Sequence, residues 1–388
     1  MPKSSPVVWV SQAFGYHGDF LYFGEIFQAL RQHEPELAIV VERGVEFRNP
    51  YQAKLLPMLR MYKKKLKRVV DGTAYETYTK LPLPDLSFGL RRLAPQAVIM
   101  VEFTPVALMS LLACLTMPAT ARIQLVESDP RSRGASRNPL VLKMKRWMVG
   151  KMDIIQTNTP EGRDYLVDTL GAPPQRVRVA PYLSSHPPGP PSRPHDPQGP
   201  VNLLFANSLT RRKGLDRIVA ALSACDPATR QALRLIVIGD GPERAALEES
   251  VRASALEEIV TFVGRKSYDE MGPYFAEADV LLVPSLADYR SLASFEGLSF
   301  GLALIASKFD GASRETVVDG RNGYVIDPDD IGAIARSLTA LVGDRAHLQE
   351  CRNASSALFA AKYSIPQIAQ NLHDSLEAAR ARRRARAR

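Results

Sequence analysis

At 388 residues, with 45% hydrophobic and 23% charged residues, the chain has the composition of an ordinary globular protein and the length for two or three domains. Its three cysteines, Cys114, Cys225 and Cys351, are far apart and form no Cys-x-x-Cys or His/Cys cluster, which argues against a disulfide or zinc framework and for buried thiols in a reducing compartment. The net charge of +9 is uneven: residues 1–199 carry +9, residues 200–379 carry −6, and the tail from Arg380 adds six arginines. That asymmetry points to an anionic surface or acceptor touching one side only.

The apolar run at 7–10 is too short for a signal peptide. The longest apolar stretch, 106–117, cannot span a bilayer and has Glu102 just before it. The expectation is a cytoplasmic chain. Residues 7–10 predict a strand, followed by the loop SQAFGYHGDF and a helix over about 20–33. There Phe20, Phe23, Ile26, Phe27 and Leu30 keep helical spacing for a buried face. Further strands are predicted at 38–41, 97–101, 123–126, 153–157 and 177–180, with helical patterns between them completing a doubly wound domain. Two segments are strongly basic, MYKKKLKRVV (61–70) and RSRGASRNPLVLKMKRWMVGK (131–151). The second sets Leu140, Met144, Trp147 and Met148 at helical spacing beside Lys143, Lys145 and Arg146. Basic amphipathic helices bind anionic lipid; a core helix with snorkelling cations has the same pattern. Nucleic acid is the competing anionic partner, and no recognised module supports it. The proline-rich stretch 184–200 predicts an extended, semi-rigid linker. His186 and His195 within it lack further metal ligands.

The second half opens with a strand at 202–205 and the run ANSLTRRKGLDRIVAAL, where Lys213-Gly214 begins a helix. LRLIVIGDGPERAALEE follows as strand, Gly239-Asp240-Gly241 turn and helix, the glycines permitting a tight turn and close backbone approach. Another strand ends at Gly264, followed by Arg265 and Lys266. The stretch 279–323 organises the rest. It holds an apolar run at 280–283, a polar loop with Asp288, a helix opening near Leu292 and containing Glu296, and a second apolar run at 302–305. Beyond these lie Gly311, Glu315, Asp319-Gly320 and Asn322-Gly323. Asp288 and Glu296 flank a loop-to-helix junction, where Rossmann-like sheets place their ligands.

An acidic residue, seven residues, a Glu, a small-residue helix, Gly, an apolar strand, a Gly loop with Glu, and Asp-Gly-x-x-Gly resemble the pattern of family-four retaining glycosyltransferases of GT-B architecture. Asp288, Glu296, Gly297, Gly301, Gly311, Glu315, Asp319, Gly320 and Gly323 match it. The family normally has Glu where Asp288 stands, and Gly-Arg where Asn207-Ser208 precede Lys213-Gly214. The resemblance implies an α/β fold of two Rossmann-like doubly wound domains facing a central cleft. Residues 1–183 would bind the acceptor and 201–363 the nucleotide-sugar donor, with 184–200 as linker and 364–388 as a terminal helix returning to the first domain with a basic tail. It further implies a retaining, metal-independent hexosyl or glycosyl transfer, with the nucleotide sugar as co-substrate and no cofactor.

The roles carried over are these. Asp288 and Lys213 are catalytic, Asp288 binding sugar hydroxyls and Lys213 the diphosphate. Glu296 receives the ribose hydroxyls, and the loop after Gly264, with Arg265, the nucleobase. Ser208, Arg212, Gly239, Gly241, Arg290, Ser291 and Leu292 complete the donor side, with Arg211, Arg212 or Arg290 as a compensating cation, Arg290 the most interesting of the three. His17 and Gly18 in the first loop face the acceptor. Glu102 and Glu127 stand where family members often carry His, as a base, a sugar-hydroxyl acceptor or an ordinary capping carboxylate. The acceptor would be a glycan or lipid-linked glycan in cell-surface polysaccharide biosynthesis, reached by a peripheral attachment to the inner membrane face. The alternatives are a soluble natural-product acceptor, or a non-catalytic subunit of the same fold that binds a partner enzyme or membrane.

Overall fold

The structure, a computed structural model, describes residues 5–11, 23–44, 52–70, 73–126, 138–187, 189–194 and 196–387. The chain divides into two compact units: Met1–Leu183 with Ile365–Arg388, and Ser184–Ser364.

The first unit runs β1 (Val7–Val10), α1 (Gly24–His33), β2 (Ala38–Glu42), β3 (Lys54–Leu59), β4 (Met61–Val70), β5 (Thr73–Pro82), α2 (Asp85–Leu93), β6 (Ala97–Val101), α3 (Pro105–Leu115), β7 (Ala121–Val126), α4 (Pro139–Lys151), β8 (Ile154–Thr157), α5 (Pro160–Asp164) and β9 (Val177–Val179). Its seven-stranded sheet has the order β3-β2-β1-β6-β7-β8-β9 with every neighbouring pair parallel. A parallel sheet covered on both faces needs strands that are apolar throughout, and Val7–Val10 and Ala97–Met100 are buried without alternation. The chain order reverses between β1 and β6, the position at which doubly wound sheets open a crevice beyond their carboxyl ends.

The segment 61–70 is a strand and not a basic helix. It pairs antiparallel with β5 along its whole length, from Met61↔Pro82 to Val70↔Thr73. The physical reason lies in its partner: TAYETYTKLP is rich in the Thr and Tyr that favour strands, and a ten-residue ladder outweighs the helical tendency of lysines.

The second unit continues with β10 (Val201–Ala206), α6 (Leu215–Ala224), α7 (Pro227–Gln231), β11 (Leu233–Ile238), α8 (Arg244–Ala253), β12 (Val260–Gly264), α9 (Tyr268–Glu277), β13 (Val280–Val283), α10 (Leu292–Ser299), β14 (Ala303–Ser307), α11 (Ser313–Thr316), β15 (Gly323–Ile326), α12 (Ile331–Gly343) and α13 (Arg345–Lys362). Its six parallel strands are ordered β12-β11-β10-β13-β14-β15, so the switch falls between β10 and β13. Leucine, valine and isoleucine from both faces of this sheet form the core with α6, α8 and α12 on one side and α10 on the other.

The described residues of 184–200, read as a linker, are packed on the rest of the second unit. Arg193 N–H donates to Ala276 O (2.9 Å), Arg193 pairs with buried Asp279 (2.8 Å), and the His186 ring stacks on Phe300 with centroids 5.1 Å apart. A Cβ at Gly189 would lie 2.7 Å from the Cα of Gly272, so glycine is what lets the segment lie against α9. Proline keeps it extended, and these contacts hold it in place as a strap.

The terminal helix α14 (Ile365–Ala387) belongs to the first unit, packing on α1, β7 and β8. Ile368, Leu372, Leu376 and Ala379 bury one stripe at three- and four-residue spacing. Arg380 grips Glu34 with two bonds of 2.7 Å, and Arg383 Nε reaches the buried Asp153 at 2.6 Å. Part of the basic tail therefore faces inward and locks the helix down. Both members of the Arg380–Glu34 pair are largely buried, so Arg380→Ala leaves a carboxylate without its main cation. We expect it to cost about 3 kcal/mol in the urea-unfolding transition of the first unit, with most of that loss persisting in 1 M NaCl because the pair is shielded from salt.

Candidate functional site

The loops that follow β10 and β13 meet at the switch point of the second unit. After β10 the chain makes a short 3-10 turn over Arg211–Lys213 and enters α6 through Gly214, whose φ is +70°. A Cβ there would stand 2.2 Å from Pro284 O, so only glycine lets this turn touch the loop after β13. Leu286 N–H then donates to Arg212 O (2.8 Å), and the side chains follow: Lys213 Nζ lies 2.5 Å and Arg212 Nη1 3.1 Å from Asp288 Oδ2. Arg212 also donates to Ala287 O (2.8 Å). Burial pushes the Asp288 carboxyl up, but Lys213 and Arg212 outweigh it and hold the group below the usual carboxylate range.

The loop after β14 braces Asp288 from the other side. Asp288 N–H donates to Phe309 O, and Gly311 N–H returns to Asp288 O, each at 3.1 Å. A Cβ on Gly311 would fall 1.8 Å from Tyr289 O. Asp310, fully buried, accepts the N–H groups of Ser291 (3.1 Å) and Ala312 (3.0 Å) through Oδ1, while its Oδ2 has no hydrogen-bond partner. Burial raises this carboxyl to about 6, with the Asp288 charge adding to the rise. The N–H of Ser291, a residue placed on the donor side from the sequence, is therefore donated to Asp310. Leu292, at the first position of α10, lies in the turn whose N–H groups have no acceptor within the helix.

Arg290 does not join the cations beside Asp288. Its guanidinium forms a two-pronged pair with Glu315 (2.8 and 3.1 Å) and lies over the Phe295 ring at 4.0 Å, with its side chain 1% exposed. Its place in sequence, two residues after Asp288, suggested a compensating cation, but the turn into α10 sends its side chain into the core. Glu296, one turn into the same helix, is buried, and its Oε1 accepts the Ser185 hydroxyl at 2.7 Å. Ser185 Oγ also lies 3.0 Å from the Tyr268 hydroxyl. Burial raises Glu296 to about 7 against the opposing effect of the Ser185 bond.

Gly239 and Gly241 shape the site through close backbone approach. Their Cβ atoms would stand 1.9 Å from Asn207 O and 2.3 Å from Leu209 O, so they let the turn after β11 press against the loop carrying Ser208. Ser208 and Arg265 are exposed. In the first unit, Glu102 ends β6 in the left-handed region (φ +57°), a strained backbone for a side-chain-bearing residue. Its charge acts on the buried Lys145 and on Tyr165. Lys145 thus points inward over Phe103 (5.2 Å) and is not part of a basic outer face. His17, Gly18, Glu127 and His195 lie outside the described residues. Sequence reasoning missed Ser185, Tyr268 and Asp310. Ser185 sits in a stretch read as linker, and nothing in KFDGAS marks Asp310 as buried.

The second unit is thus a doubly wound domain with a lysine–carboxylate pair at its switch point and a buried glutamate on the next helix. Residues 193–357, most of the second unit, match the family described as glycosyl transferases group 1. The chain as a whole has the GT-B fold. It superposes on HepE of Anabaena, solved in complex with UDP, with a TM-score of 0.70 at 14% identity, covering 96% of this chain and 99% of that one. Among curated relatives, a D-inositol 3-phosphate glycosyltransferase of Acidothermus cellulolyticus is 30% identical over 219 residues, 50% of this chain and 48% of its own. A lipopolysaccharide 1,2-N-acetylglucosaminetransferase of Salmonella typhimurium is 29% identical over 185 residues, 45% of this chain and 48% of its own. The chain thus spans about half the length of these curated relatives. Among the described residues no group of three or more His, Cys, Asp or Glu could hold a metal ion, and no helix is long and apolar enough to cross a membrane.

Arg212, which meets Asp288 in space, and Arg290, which only neighbours it in sequence, should separate cleanly by stability. Arg290→Ala strands Glu315 in the core and is expected to cost roughly 3–5 kcal/mol. Arg212→Ala removes a half-exposed partner and should stay within about 1 kcal/mol of the parent. Chemical denaturation of both variants checks the contrast.

Proposed function

We propose that the chain is a retaining glycosyltransferase that moves a sugar from a nucleotide diphosphate donor, with UDP as the carrier, to a glycan or lipid-linked acceptor in polysaccharide biosynthesis. The observation that carries this reading is the Lys213–Asp288–Arg212 cluster at the switch point of the second unit. A departing diphosphate concentrates negative charge, and Lys213, Arg212 and the first-turn N–H groups of α10 would meet that charge without a metal. When the diphosphate draws on Lys213, the Asp288 carboxylate is released toward the sugar. There it binds hydroxyls and favours the positive charge that develops as the anomeric bond breaks. Glu296 takes the ribose hydroxyls in place of Ser185. The UDP held by HepE, and the UDP and GlcNAc held by the pneumococcal O-GlcNAc transferase GtfA, support the donor class.

Acceptor recognition is assigned to the first unit, where Glu102 sits in strained backbone at the end of β6. Attachment to an anionic membrane face is supported by α4. Leu140 is 74% exposed and Trp147 is also exposed, with Lys143 and Arg146 exposed alongside.

Nucleotide release from UDP-sugars tests the assignment. Lys213→Ala should lower kcat/KM roughly a hundred- to a thousandfold, and Asp288→Ala should abolish turnover while nucleotide binding survives. A wild-type chain that turns over no donor would instead support a binding subunit. The raised Glu296 carboxyl gives a second check. Below about pH 7 it is protonated and stops acting as a pure acceptor, so donor affinity should fall as pH drops through about 7. Glu296→Gln should bind more weakly and with no such pH dependence.

A further inference from the structure

The N-terminal edge of the first unit's sheet gathers five arginines around one carboxylate. Asp153 precedes β8 and is fully buried. Its Oδ2 accepts the Arg122 backbone N–H (2.9 Å) and Arg383 Nε (2.6 Å), with Arg122 Nε at 3.8 Å, and Arg386 Nη1 lies 3.6 Å from its Oδ1. Arg176, just before β9, donates to Gly150 O (3.3 Å) and Met152 O (3.2 Å), and Arg382 donates to Gln175 O. The charges of Arg122, Arg382 and Arg386 act on Arg176, and each disfavours its charged form. One carboxylate cannot balance five guanidinium ions. Three buried donors, Arg122 Nε, Arg176 Nε and Arg383 Nη2, also have no hydrogen-bond partner. Lone buried N–H groups on cations are costly unless a negative group completes them. Guanidinium forks pair bidentately with phosphate oxygens, and a multiply charged phosphate can engage several arginines at once.

We infer that this edge, where α14 ends, is a binding site for a phosphate group, separate from the donor site and at the opposite end of the strands from Glu102. Arg386, whose side chain is half exposed near the end of α14, is the accessible member of the cluster, and Arg122 and Arg383 are its buried ones. An occupant would tie the last turns of α14 to the starts of β7, β8 and β9. The phosphate is free in solution or borne by a lipid headgroup, and the test has one arm for each source.

Calorimetric titration of the full chain with inorganic phosphate, at fixed ionic strength, is the first arm. Co-sedimentation with phosphatidylcholine vesicles containing phosphatidic acid is the second. A saturable phosphate signal, weakened roughly tenfold in Arg176→Gln/Arg386→Gln and unchanged in Lys213→Ala, assigns a free phosphate. Vesicle retention weakened tenfold by the same pair, without a phosphate signal, assigns a headgroup. Should the double variant fail to fold, Arg386→Gln alone carries the comparison. The inference is overturned if neither probe binds, if both bind the variant as well as the parent, or if Lys213→Ala removes the phosphate signal.

Discussion

The candidate site depends on how closely four backbone segments approach one another at the carboxyl ends of β10, β11, β13 and β14. Lys213 reaches Asp288 because the turn before α6 lies against the loop after β13, and that loop is held in turn by the one after β14. Each approach passes through a position where a single methyl group would collide with a carbonyl oxygen: Gly214 against Pro284, Gly239 against Asn207, Gly311 against Tyr289. The ion pair is the chemical product of this arrangement, and glycine is its steric condition. The buried lysine has its counter-ion at hand: Asp288 lies 2.5 Å away.

The strands were legible because parallel sheets with two covered faces demand unbroken apolar runs. The strands at 7–10 and 97–101 stand where the runs predict, and those at 38–42, 121–126 and 201–206 differ from the reading by one or two residues at an end. The hairpin of β4 and β5 was not legible, since its lysine-rich strand carries no apolar run and takes its conformation from its partner. Within the site, residue spacing pointed to Asp288 and Lys213, and the structure brings them together. Spacing along the chain does not encode the direction of a side chain at a turn, however. Arg290 shows the difference: two residues from Asp288 in sequence, it is aimed into the core at Glu315 and Phe295. Ser185 is the converse, a residue more than a hundred positions from Glu296 that ends 2.7 Å from its carboxylate.

That contact gives the proline-rich strap a chemical role besides a mechanical one. Glu296 is hydrogen-bonded to the neutral hydroxyl of Ser185, which in turn meets that of Tyr268, and burial alone would leave it neutral well above the ordinary carboxylate range. The Ser185 hydroxyl donates to it and draws the value down toward neutrality. A buried acid poised near pH 7 can exchange one hydroxyl partner for another at small electrostatic cost, whereas a fully ionised one would hold its partner tightly.

Net charge proved a poorer guide than its placement. The arginine-rich end of the chain reads as a solvated tail, yet Arg380 and Arg383 spend their charge on Glu34 and Asp153 inside the first unit. A helix of alternating Ala and Arg has little apolar surface with which to dock. Its attachment therefore rests on Ile368, Leu372, Leu376 and Ala379 farther back, and beyond them on ion pairs. Both carboxylates that receive them are buried in the first unit. Docking then concentrates arginine at the starts of β7, β8 and β9 beyond what the local acid can neutralise. The excess positive charge at that edge follows from how the last helix is fastened.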